Sequence, residues 1–502
     1  MARDYVVGVD CSTTAAKAVV WNAMGEALSE SRMTFDLQQP HRGWGEQNAE
    51  DWWTATSSAI RRAVQTVDTS RVGAVSVTHQ RESFVCLDRA GQPLRPAMLW
   101  LDVRATEQVQ NFGTPDVHRV TGKPPNPTAA WYKLLWLAQH EPETLSRAGK
   151  VVDVHGFLVH RLTGRWVTSW ASADPLGLVD LSTFDYDDAL LAAVGLDRSQ
   201  VPELAAPGSV IDTLSDEVSD RLGLPHGLPV VAGAGDGQCA QLGTGVTAPG
   251  RASLNLGSGV VSGTHSTTYL HGQEFRTLAA AVPGEYSLET FMGGGAVTLN
   301  WFVTKFAGVD LRSLGLDLTA EQVLETAAAQ LPPGSEGLLA LPYWTGALTP
   351  YWDHHARGVI LGLSGIHGKA HFYRAILEGV ALEQRLLTTG AEQALGTRIE
   401  DVIALGGGSR SAVWCQIIAD VMKRRVSVVR EPESTCLGAG MLAAAAVGIH
   451  ESIPAAAEAM SGVAQCYDPR PMVSPIYDRL YDVYREIYPA NRALFAALAE
   501  VL

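Results

Sequence analysis

Apolar runs that end in small or acidic turns recur along this chain. The first, Tyr5–Asp10, is rich in Val and enters the hydroxyl-bearing turn Cys11–Thr14, after which Lys17–Trp21 is again largely apolar. β-Branched and aromatic residues bounded by turn residues are typical of strands. With a further strand expected over Glu26–Phe35, the pattern predicts a meander whose first strand ends at Asp10.

Strands and helices alternate after this meander. Apolar residues at mixed three- and four-residue intervals predict a helix from Ala49 to about Val67. The apolar pattern then predicts strands over Val72–Thr78, Ser83–Leu87 and Ala97–Leu101, and helices around Leu134–Leu137 and Gly156–Leu162. Alternation of this kind favours the α/β class.

A second acidic turn follows the strand-like run Pro229–Ala232. This turn, Gly233–Gln238, contains Asp236 and leads into a short helix over Gln238–Gly243. The partial positive charge of a helix N-terminus would stabilise the Asp236 carboxylate. The central hypothesis is that Asp10 and Asp236 meet across one cleft.

The chain restarts after residue 250. The Gly- and Pro-containing stretch Gly243–Gly250 precedes Arg251–Gly263, which again predicts a strand, a small-residue turn and a strand. This faint internal repeat predicts two domains of one topology, 1–245 and 246–502.

The last third of the chain predicts a β-loop-α-β unit and a helix of small residues. The unit comprises the strand Val402–Leu405, a glycine turn, a helix that Ser409 is expected to cap, and the strand Arg425–Val429. Leu437–Ala446 is rich in Ala and Gly, so this helix can press closely against a neighbour.

Length and charge limit the function classes. A chain of 502 residues is too long for one ordinary core, so two or more domains are expected. Asp and Glu number 53 against 38 Lys and Arg, a net charge of −15 without a dense basic run, which argues against nucleic acid and anionic membranes as partners. The N-terminus enters a strand without an apolar leader, and no apolar run of about 18 residues follows, so we expect a cytoplasmic protein. The sequence leaves a homodimer open.

The six cysteines are scattered and include no C-x-x-C pair, which argues against a zinc knuckle or a disulfide framework.

Glycine-rich turns favour a nucleotide ligand. They are Gly233–Gly237, Gly257–Gly259, Gly293–Gly295 and Gly406–Gly408. Without side chains the backbone can approach a phosphate and point N–H groups at it, although each turn taken singly could equally be a plain tight turn. No P-loop occurs, and the formal dinucleotide pattern Gly438-x-Gly440-x-x-Ala443 begins well after the preceding strand and after Pro432.

Two carboxylates in turns suit phosphoryl transfer, which requires neutralised charge and two oxygens held in line. Asp10 on Mg²⁺, with Thr13, Thr14 and Lys17 at the phosphates, would neutralise the charge. Asp236 near an acceptor hydroxyl would orient it and take its proton. Considered singly, either aspartate could instead serve as an Asx-turn or a helix cap.

Arg81 and Glu82, which interrupt two apolar strands, indicate an acceptor site. Adjacent charges are costly to bury, so they either lie in an exposed loop or bind something polar. A guanidinium beside a carboxylate suits vicinal hydroxyls. Trp100 could cover the apolar face of a sugar or belong to the core.

The sequence resembles the FGGY family of carbohydrate kinases over nearly its whole length. The resemblance is carried by Asp10–Thr14, Lys133–His140, Gly358–Leu363 with His371–Glu378, Ala404–Ser409 and Glu433–Ala439. Two positions depart from the family pattern, because Ser12 replaces a glycine and Ala130 replaces Pro, Ser or Thr.

The resemblance implies two ribonuclease-H-like domains of the actin/hexokinase type, with ATP and Mg²⁺ in the cleft between them. It implies that Asp236 is the catalytic base, and the candidate metal ligands are Asp10 and Asp236. The candidate ATP-binding residues are Thr13, Thr14, Lys17, Gly257, Ser258, Gly294, Gly407, Gly408 and Ser409. The candidate acceptor-binding residues are Arg81, Glu82, Trp100 and Asp236.

The expected acceptor is a ketopentose, with D-xylulose the leading candidate and glycerol, another polyol or ribulose the alternatives. Thr78–Ser83 resembles the corresponding stretch of glycerol kinases, whereas Thr128 replaces a substrate-contacting tyrosine of those enzymes. Lys133–Pro142 is more similar to the pentulose kinases. Two other classes stay open, an actin-like or chaperone-like ATPase and a sugar sensor without turnover.

Overall fold

The computed structural model describes residues 3–307 and 318–501. The strands of the first half are β1 (Tyr5–Cys11), β2 (Ala15–Asn22), β3 (Ala27–Thr34), β4 (Glu46–Gln47), β5 (Val72–His79), β6 (Phe84–Leu87), β7 (Ala97–Met98), β8 (Lys150–Asp153), β9 (Val167–Ser169), β10 (Val179–Asp180), β11 (Asp185–Tyr186), β12 (Glu203–Ala205), β13 (Val210–Thr213) and β14 (Pro229–Val231). Its helices are α1 (Ala49–Val64), α2 (Thr106–Phe112), α3 (Pro115–Thr121), α4 (Ala130–His140), α5 (Pro142–Arg147), α6 (Val154–Thr163), α7 (Trp170–Ala173), α8 (Asp188–Ala193), α9 (Asp216–Leu222) and α10 (Asp236–Gly243).

The second half is built in the same mixed style. Its strands are β15 (Arg251–Leu256), β16 (Val260–Ser266), β17 (Arg276–Ala279), β18 (Tyr286–Met292), β19 (Leu339–Leu341), β20 (Val359–Leu361), β21 (Asp401–Leu405), β22 (Arg425–Val429) and β23 (Val463–Tyr467). Its helices are α11 (Ala296–Phe302), α12 (Ala320–Ala329), α13 (Lys369–Leu395), α14 (Ala412–Met422), α15 (Ser434–Ala446), α16 (Ile453–Met460) and α17 (Ser474–Ala499). Within the two described ranges, no helix has both the length and the apolar character needed to cross a bilayer.

The two central sheets repeat one arrangement. In the first, the strand order is β3-β2-β1-β5-β14-β13, with an antiparallel meander over β1 to β3 and parallel pairing of β1, β5 and β14. In the second, β18-β16-β15-β21-β22-β23 shows the same succession of antiparallel and parallel pairs, and β17 extends the β18 edge. This topology confirms the internal repeat and the predicted α/β class.

The valines of β1 point to both faces of the first sheet, because successive side chains of a strand alternate between its faces. Val7 and Val9 pack with Trp52 and Ile60 of α1 in one cluster. Val6 points to the other face, where it packs in a cluster with residues of α10, α15 and α16. The first sheet therefore lies between two layers of helices, and one layer includes helices from the second half of the chain.

Helix α15 lies in close contact with its neighbours because its glycines have no side chains. A Cβ on Gly438 would lie 2.0 Å from the carbonyl oxygen of Cys239 in α10, and one on Gly440 would lie 2.6 Å from Trp21 in β2. This confirms the predicted close packing of the small-residue helix. It also gives the glycines of the formal dinucleotide pattern a packing role.

The prediction that Ser409 caps α14 is wrong. Ser411 is the N-cap, and its hydroxyl accepts a hydrogen bond from Trp414 N at 3.0 Å. Ser409 instead donates its hydroxyl proton to Gly406 O at 2.8 Å inside the glycine turn. The turn before α14 extends further along the chain than the sequence indicated. Ser411, and not Ser409, therefore reaches the free N–H groups at the start of the helix.

Two predicted boundaries also shift. Helix α1 ends at Val64 and not near Val67, because Gln65 N donates to Arg62 O. The strand expected over Ala97–Leu101 is confined to Ala97–Met98, because Asp102 N bonds to Leu99 O and turns the chain.

Candidate active site

Three parallel strands bring the site together. Strands β1, β5 and β14 are neighbours in one sheet and run in the same direction, so their carboxyl ends meet at one edge. Asp10 is the next-to-last residue of β1, Arg81 follows β5, and Asp236 begins α10 after β14. All three side chains line one cavity of about 250 Å³. The structure thus places Asp10 and Asp236 in one cleft.

Asp10 is a buried carboxylate whose Oδ1 has no hydrogen-bond partner among the described residues. Burial, followed by the nearby charges of Asp236 and Glu433, raises its pKa to about 8. A cation beside it would reverse this penalty, because an opposite charge favours the ionised form. The orphaned oxygen and the paired acids fit Mg²⁺, which binds through one or two carboxylates and completes its shell with water and phosphate.

Asp236 is held by two donors on one oxygen. Its Oδ1 accepts from Arg81 Nε at 2.7 Å and from Gly237 N at 2.7 Å. The side chain remains 40% exposed. A carboxylate so oriented and so open can meet an acceptor hydroxyl entering the cavity.

The predicted acceptor residues are buried and paired. Arg81 Nη1 donates to Glu289 Oε2 of β18 at 2.8 Å, and Glu82 Oε1 accepts from Arg276 Nη1 of β17 at 2.8 Å. The backbone of Glu82 has φ 59°, a left-handed conformation that is uncommon for a residue with a side chain. Such strain persists where the surroundings enforce it, often at functional sites. The indole N–H of Trp100 donates to Thr13 Oγ1 at 2.9 Å, which joins the turn Cys11–Thr14 to the predicted acceptor residues.

Lys133 is a buried ammonium that holds the acceptor side together. Its Nζ donates to Glu82 O at 3.0 Å, Leu99 O at 2.8 Å and Thr128 O at 2.6 Å. Burial lowers the pKa of the ammonium to about 8. One side chain therefore fixes three separate segments, although the sequence presented Lys133 only as part of a family signature.

A second cavity, of about 680 Å³, lies at the ends of β15 and β21. These strands are parallel neighbours, so the turns that follow them lie side by side. Gly257, Ser258, Gly407 and Gly408 all line the cavity. Its size and its glycine loops suit the phosphates and nucleoside of ATP.

Two other predicted ATP-binding residues support these loops. Gly294 packs against the carbonyl oxygen of Pro342, where a Cβ would approach to 1.7 Å. The loop that contains Gly294 is joined to the turn Gly257–Gly259, because Ala296 N donates to Gly257 O at 3.0 Å. Ser409 closes the other turn through its bond to Gly406 O.

The predicted phosphate residues of the first turn differ in their surroundings. Thr13 is half-buried and Thr14 is exposed. Lys17 forms ion pairs with Glu433 at 2.7 Å and Glu30 at 3.1 Å. The ammonium therefore has two carboxylate partners, one in β3 and one just before α15.

Arg276 and Glu289 were not among the site residues predicted from the sequence. Each is a single charge inside an otherwise apolar or neutral strand, β17 and β18 respectively. A charge in such a position is costly to bury unless it is paired, and that cost is the signal that could have revealed them.

Comparison with known proteins matches both halves of the chain to one family. The sequence model for the FGGY family of carbohydrate kinases, N-terminal domain, matches residues 5–243, and that for the C-terminal domain matches residues 252–447. A xylulose kinase of Bacillus subtilis (strain 168) is 28% identical over 513 residues, which cover 98% of each chain.

Solved structures align over the same length. A gluconate kinase and a ligand-bound xylulose kinase, both from Lactobacillus acidophilus, each align with a TM-score of 0.92 and 26% identity, over 98% of this chain and 99% of theirs. The chain therefore shares their two-domain fold, which confirms the expected actin/hexokinase-type architecture.

Proposed function

Because the chain belongs to the FGGY family of carbohydrate kinases and is a phosphotransferase with an alcohol acceptor, we propose that it phosphorylates a primary hydroxyl of a ketopentose. D-Xylulose is the first candidate, with D-xylulose 5-phosphate as product, and ATP is the donor. The observation that carries this proposal is the pair of carboxylates, Asp10 and Asp236, lining one cavity at the carboxyl edge of a parallel sheet.

Each half of the cleft has a separate task in this proposal. Gly257, Ser258, Gly407 and Gly408 hold ATP, since they line the larger cavity. Gly294 and Ser409 keep the two loops in place, and Thr13, Thr14 and Lys17 approach the terminal phosphates from the first turn. Closure of the two domains excludes water, which would otherwise compete as acceptor.

Asp10 and Asp236 divide the chemistry between them. Asp10 would hold Mg²⁺, with Asp236 as the second candidate ligand, and the ion would neutralise charge on the phosphoryl group. Asp236 also orients the acceptor hydroxyl and takes its proton. Its bonds from Arg81 and Gly237 hold the carboxylate in place for this task. A carboxylate suffices as the proton acceptor where the proton leaves late in a loose transition state.

The acceptor side supports a small polyhydroxylated ligand. Arg81 and Glu82 offer a donor and an acceptor side by side, and the half-buried Trp100 offers a ring face to sugar C–H groups. The similarity to a xylulose kinase over nearly the whole chain favours D-xylulose. Glycerol, another polyol or ribulose is the second candidate, because Thr78–Ser83 resembles the glycerol-kinase stretch.

A coupled assay of ADP release tests the proposal. D-xylulose, D-ribulose, their L-forms, glycerol, erythritol and D-gluconate are supplied in turn, and a ketopentose should give the highest kcat/KM. Hydrolysis that no sugar or polyol stimulates would favour an actin-like or chaperone-like ATPase instead. Tight sugar binding without a phosphorylated product would indicate a sensor.

The role of Asp236 is tested by Asp236→Ala. Turnover should fall by at least a hundredfold, in the range typical for loss of a general base. Binding of ATP, measured by calorimetry, should persist, because Asp236 lies outside the larger cavity's lining. Retention of more than about a tenth of kcat would remove Asp236 from the base role.

A further inference from the structure

Five charged side chains form a continuous chain between the two domains, which we name the charge ladder: Asp236, Arg81, Glu289, Arg276 and Glu82. Arg81 bonds to Asp236 at 2.7 Å and to Glu289 at 2.8 Å. Arg276 bonds to Glu289 at 2.6 Å and to Glu82 at 2.8 Å. Acid and base alternate along the ladder, so Glu289 bridges the two guanidinium groups.

Apart from the partly exposed Asp236, the ladder is buried, and it carries a net negative charge. Glu289 is 3% exposed, and Arg276 and Glu82 are 9% and 6% exposed. Burial favours the neutral form of Glu289, but Arg276 and Arg81 together hold its pKa below the usual range. With three carboxylates against two guanidinium groups, one negative charge remains.

The strand that carries Arg276 is fixed to the acceptor side. In β17, Thr277 N donates to Gly122 O at 2.8 Å, and Ala279 N donates to Asp174 Oδ2 at 2.9 Å. Gly122 and Asp174 both belong to the first half of the chain. Arg276 is therefore held beside Glu82 by backbone contacts as well as by its own ion pair.

The alternation of carboxylates and guanidinium groups gives neutral and anionic acceptors different partners. A hydroxyl can donate to the carboxylates of the ladder and accept from its N–H groups, so a neutral sugar meets partners of both kinds. A sugar carboxylate would have to displace Glu82, Glu289 or Asp236 from a guanidinium group and would add a second negative charge in a buried site.

We propose that Arg276 and Glu289 are specificity-determining residues, and that the ladder they complete restricts the acceptor to neutral sugars and polyols and rejects aldonates such as gluconate. The inference rests on the proposed kinase function and deepens it. It is specific to charge, because it makes no distinction among the neutral acceptors.

The first test compares kcat/KM for D-xylulose, D-ribulose, glycerol and D-gluconate with the wild-type chain. Gluconate should be at least a hundredfold poorer than the best neutral acceptor. A wild-type preference for gluconate would overturn the inference and leave the kinase function standing. An absence of ADP release with every acceptor would overturn the proposed function, and the inference with it.

The second test changes the charge of the ladder. Glu289→Gln removes one negative charge, so kcat/KM for the neutral acceptor should fall while the ratio of gluconate to neutral acceptor rises at least tenfold. Arg276→Lys keeps the charge but loses the forked contact to two carboxylates. It should lower kcat/KM for the neutral acceptor without moving that ratio. A ratio within twofold of wild type in Glu289→Gln would refute the electrostatic role.

A matched control separates charge selection from general damage. Glu378→Gln also removes a buried carboxylate from an Arg–Glu pair, since Glu378 is 1% exposed and bonds to Arg374 at 2.8 Å. The ratio of gluconate to neutral acceptor should stay at the wild-type value in this variant. If Glu289→Gln does not fold, Glu82→Gln removes another carboxylate of the ladder, bonded to Arg276 at 2.8 Å, and should raise the same ratio at least tenfold, whereas an unchanged ratio would refute the electrostatic role.

Discussion

Replacing Lys133 by methionine should weaken both the fold and the acceptor site. The change keeps a long side chain but removes the ammonium that bonds to the carbonyls of Glu82, Leu99 and Thr128. Hydrogen bonds to a charged group contribute about 1.5–3 kcal/mol each, so the three together contribute roughly 6 kcal/mol. Lowering the pKa from 10.5 to about 8 costs the buried cation about 3 kcal/mol, which offsets half of this. The expected net loss of unfolding free energy is therefore about 3 kcal/mol.

Kinetics should locate the damage on one side of the cleft. Because Lys133 fixes the backbone of Glu82 and the segment before Trp100, KM for the acceptor should rise at least tenfold. KM for ATP should change less than twofold, since the proposed ATP-binding turns follow other strands, β15 and β21. Urea denaturation at pH 7 measures the stability, and the coupled assay measures both KM values.

Lys150→Met provides the matched control. Lys150 also donates to two backbone carbonyls, Ser199 O at 2.7 Å and Val201 O at 2.9 Å, but it is only partly buried and lies away from the cleft. Its replacement should cost less than about 1 kcal/mol and leave KM for the acceptor unchanged. The reasoning fails if Lys133→Met keeps its unfolding free energy within about 1 kcal/mol of wild type, or if both variants affect the acceptor equally.

Three further outcomes are expected. Asp10→Ala should raise the Mg²⁺ concentration for half-maximal turnover at least tenfold, and an unchanged magnesium titration would contradict its role as a ligand. Burial raises the pKa of Glu383 to about 7 despite hydrogen bonds from tyrosines. The folded state therefore favours the protonated carboxyl, and this contribution to the unfolding free energy is complete below about pH 4.5 and is lost as the pH rises through 7. The unfolding free energy of Glu383→Gln relative to wild type should accordingly rise by about 3 kcal/mol between those pH values, whereas parallel pH profiles would exclude the shift. Gly438→Ala should cost at least about 1–3 kcal/mol in thermal or urea denaturation because its Cβ meets backbone, whereas Gly365→Ala, with open space around it, should be near neutral.

Much of the fold could be predicted because it rests on local patterns. The Val-rich run ending at Asp10 and the glycine turn before Asp236 are both visible within about ten residues. Asp10 ends one predicted strand and Asp236 follows another, and the parallel pairing of both strands with β5 in the structure explains why the acids meet at one edge, as the hypothesis expected. The repeat after residue 250 was visible for the same reason, since each half begins with a strand, a small turn and a strand.

The ion-pair network could not be predicted in this way. Arg81 and Glu289 are 208 residues apart, and only the packing of two domains brings them together. The contacts of Lys133 are with backbone carbonyls, which leave no mark on the sequence of their own residues. The cap of α14 was misplaced by two residues because Ser409 and Ser411 are chemically alike, and the geometry of the turn alone decides which hydroxyl reaches the helix.

Helix α15 touches both β1, which carries Asp10, and α10, which begins at Asp236. Both acids also lie at or after the ends of strands of the first sheet, β1 and β14, so the first half of the chain alone sets the distance between them. A small inhibitor that binds both carboxylates would accordingly meet the same separation between them in every arrangement of the two halves. Its affinity should depend little on whether nucleotide has already drawn the halves together.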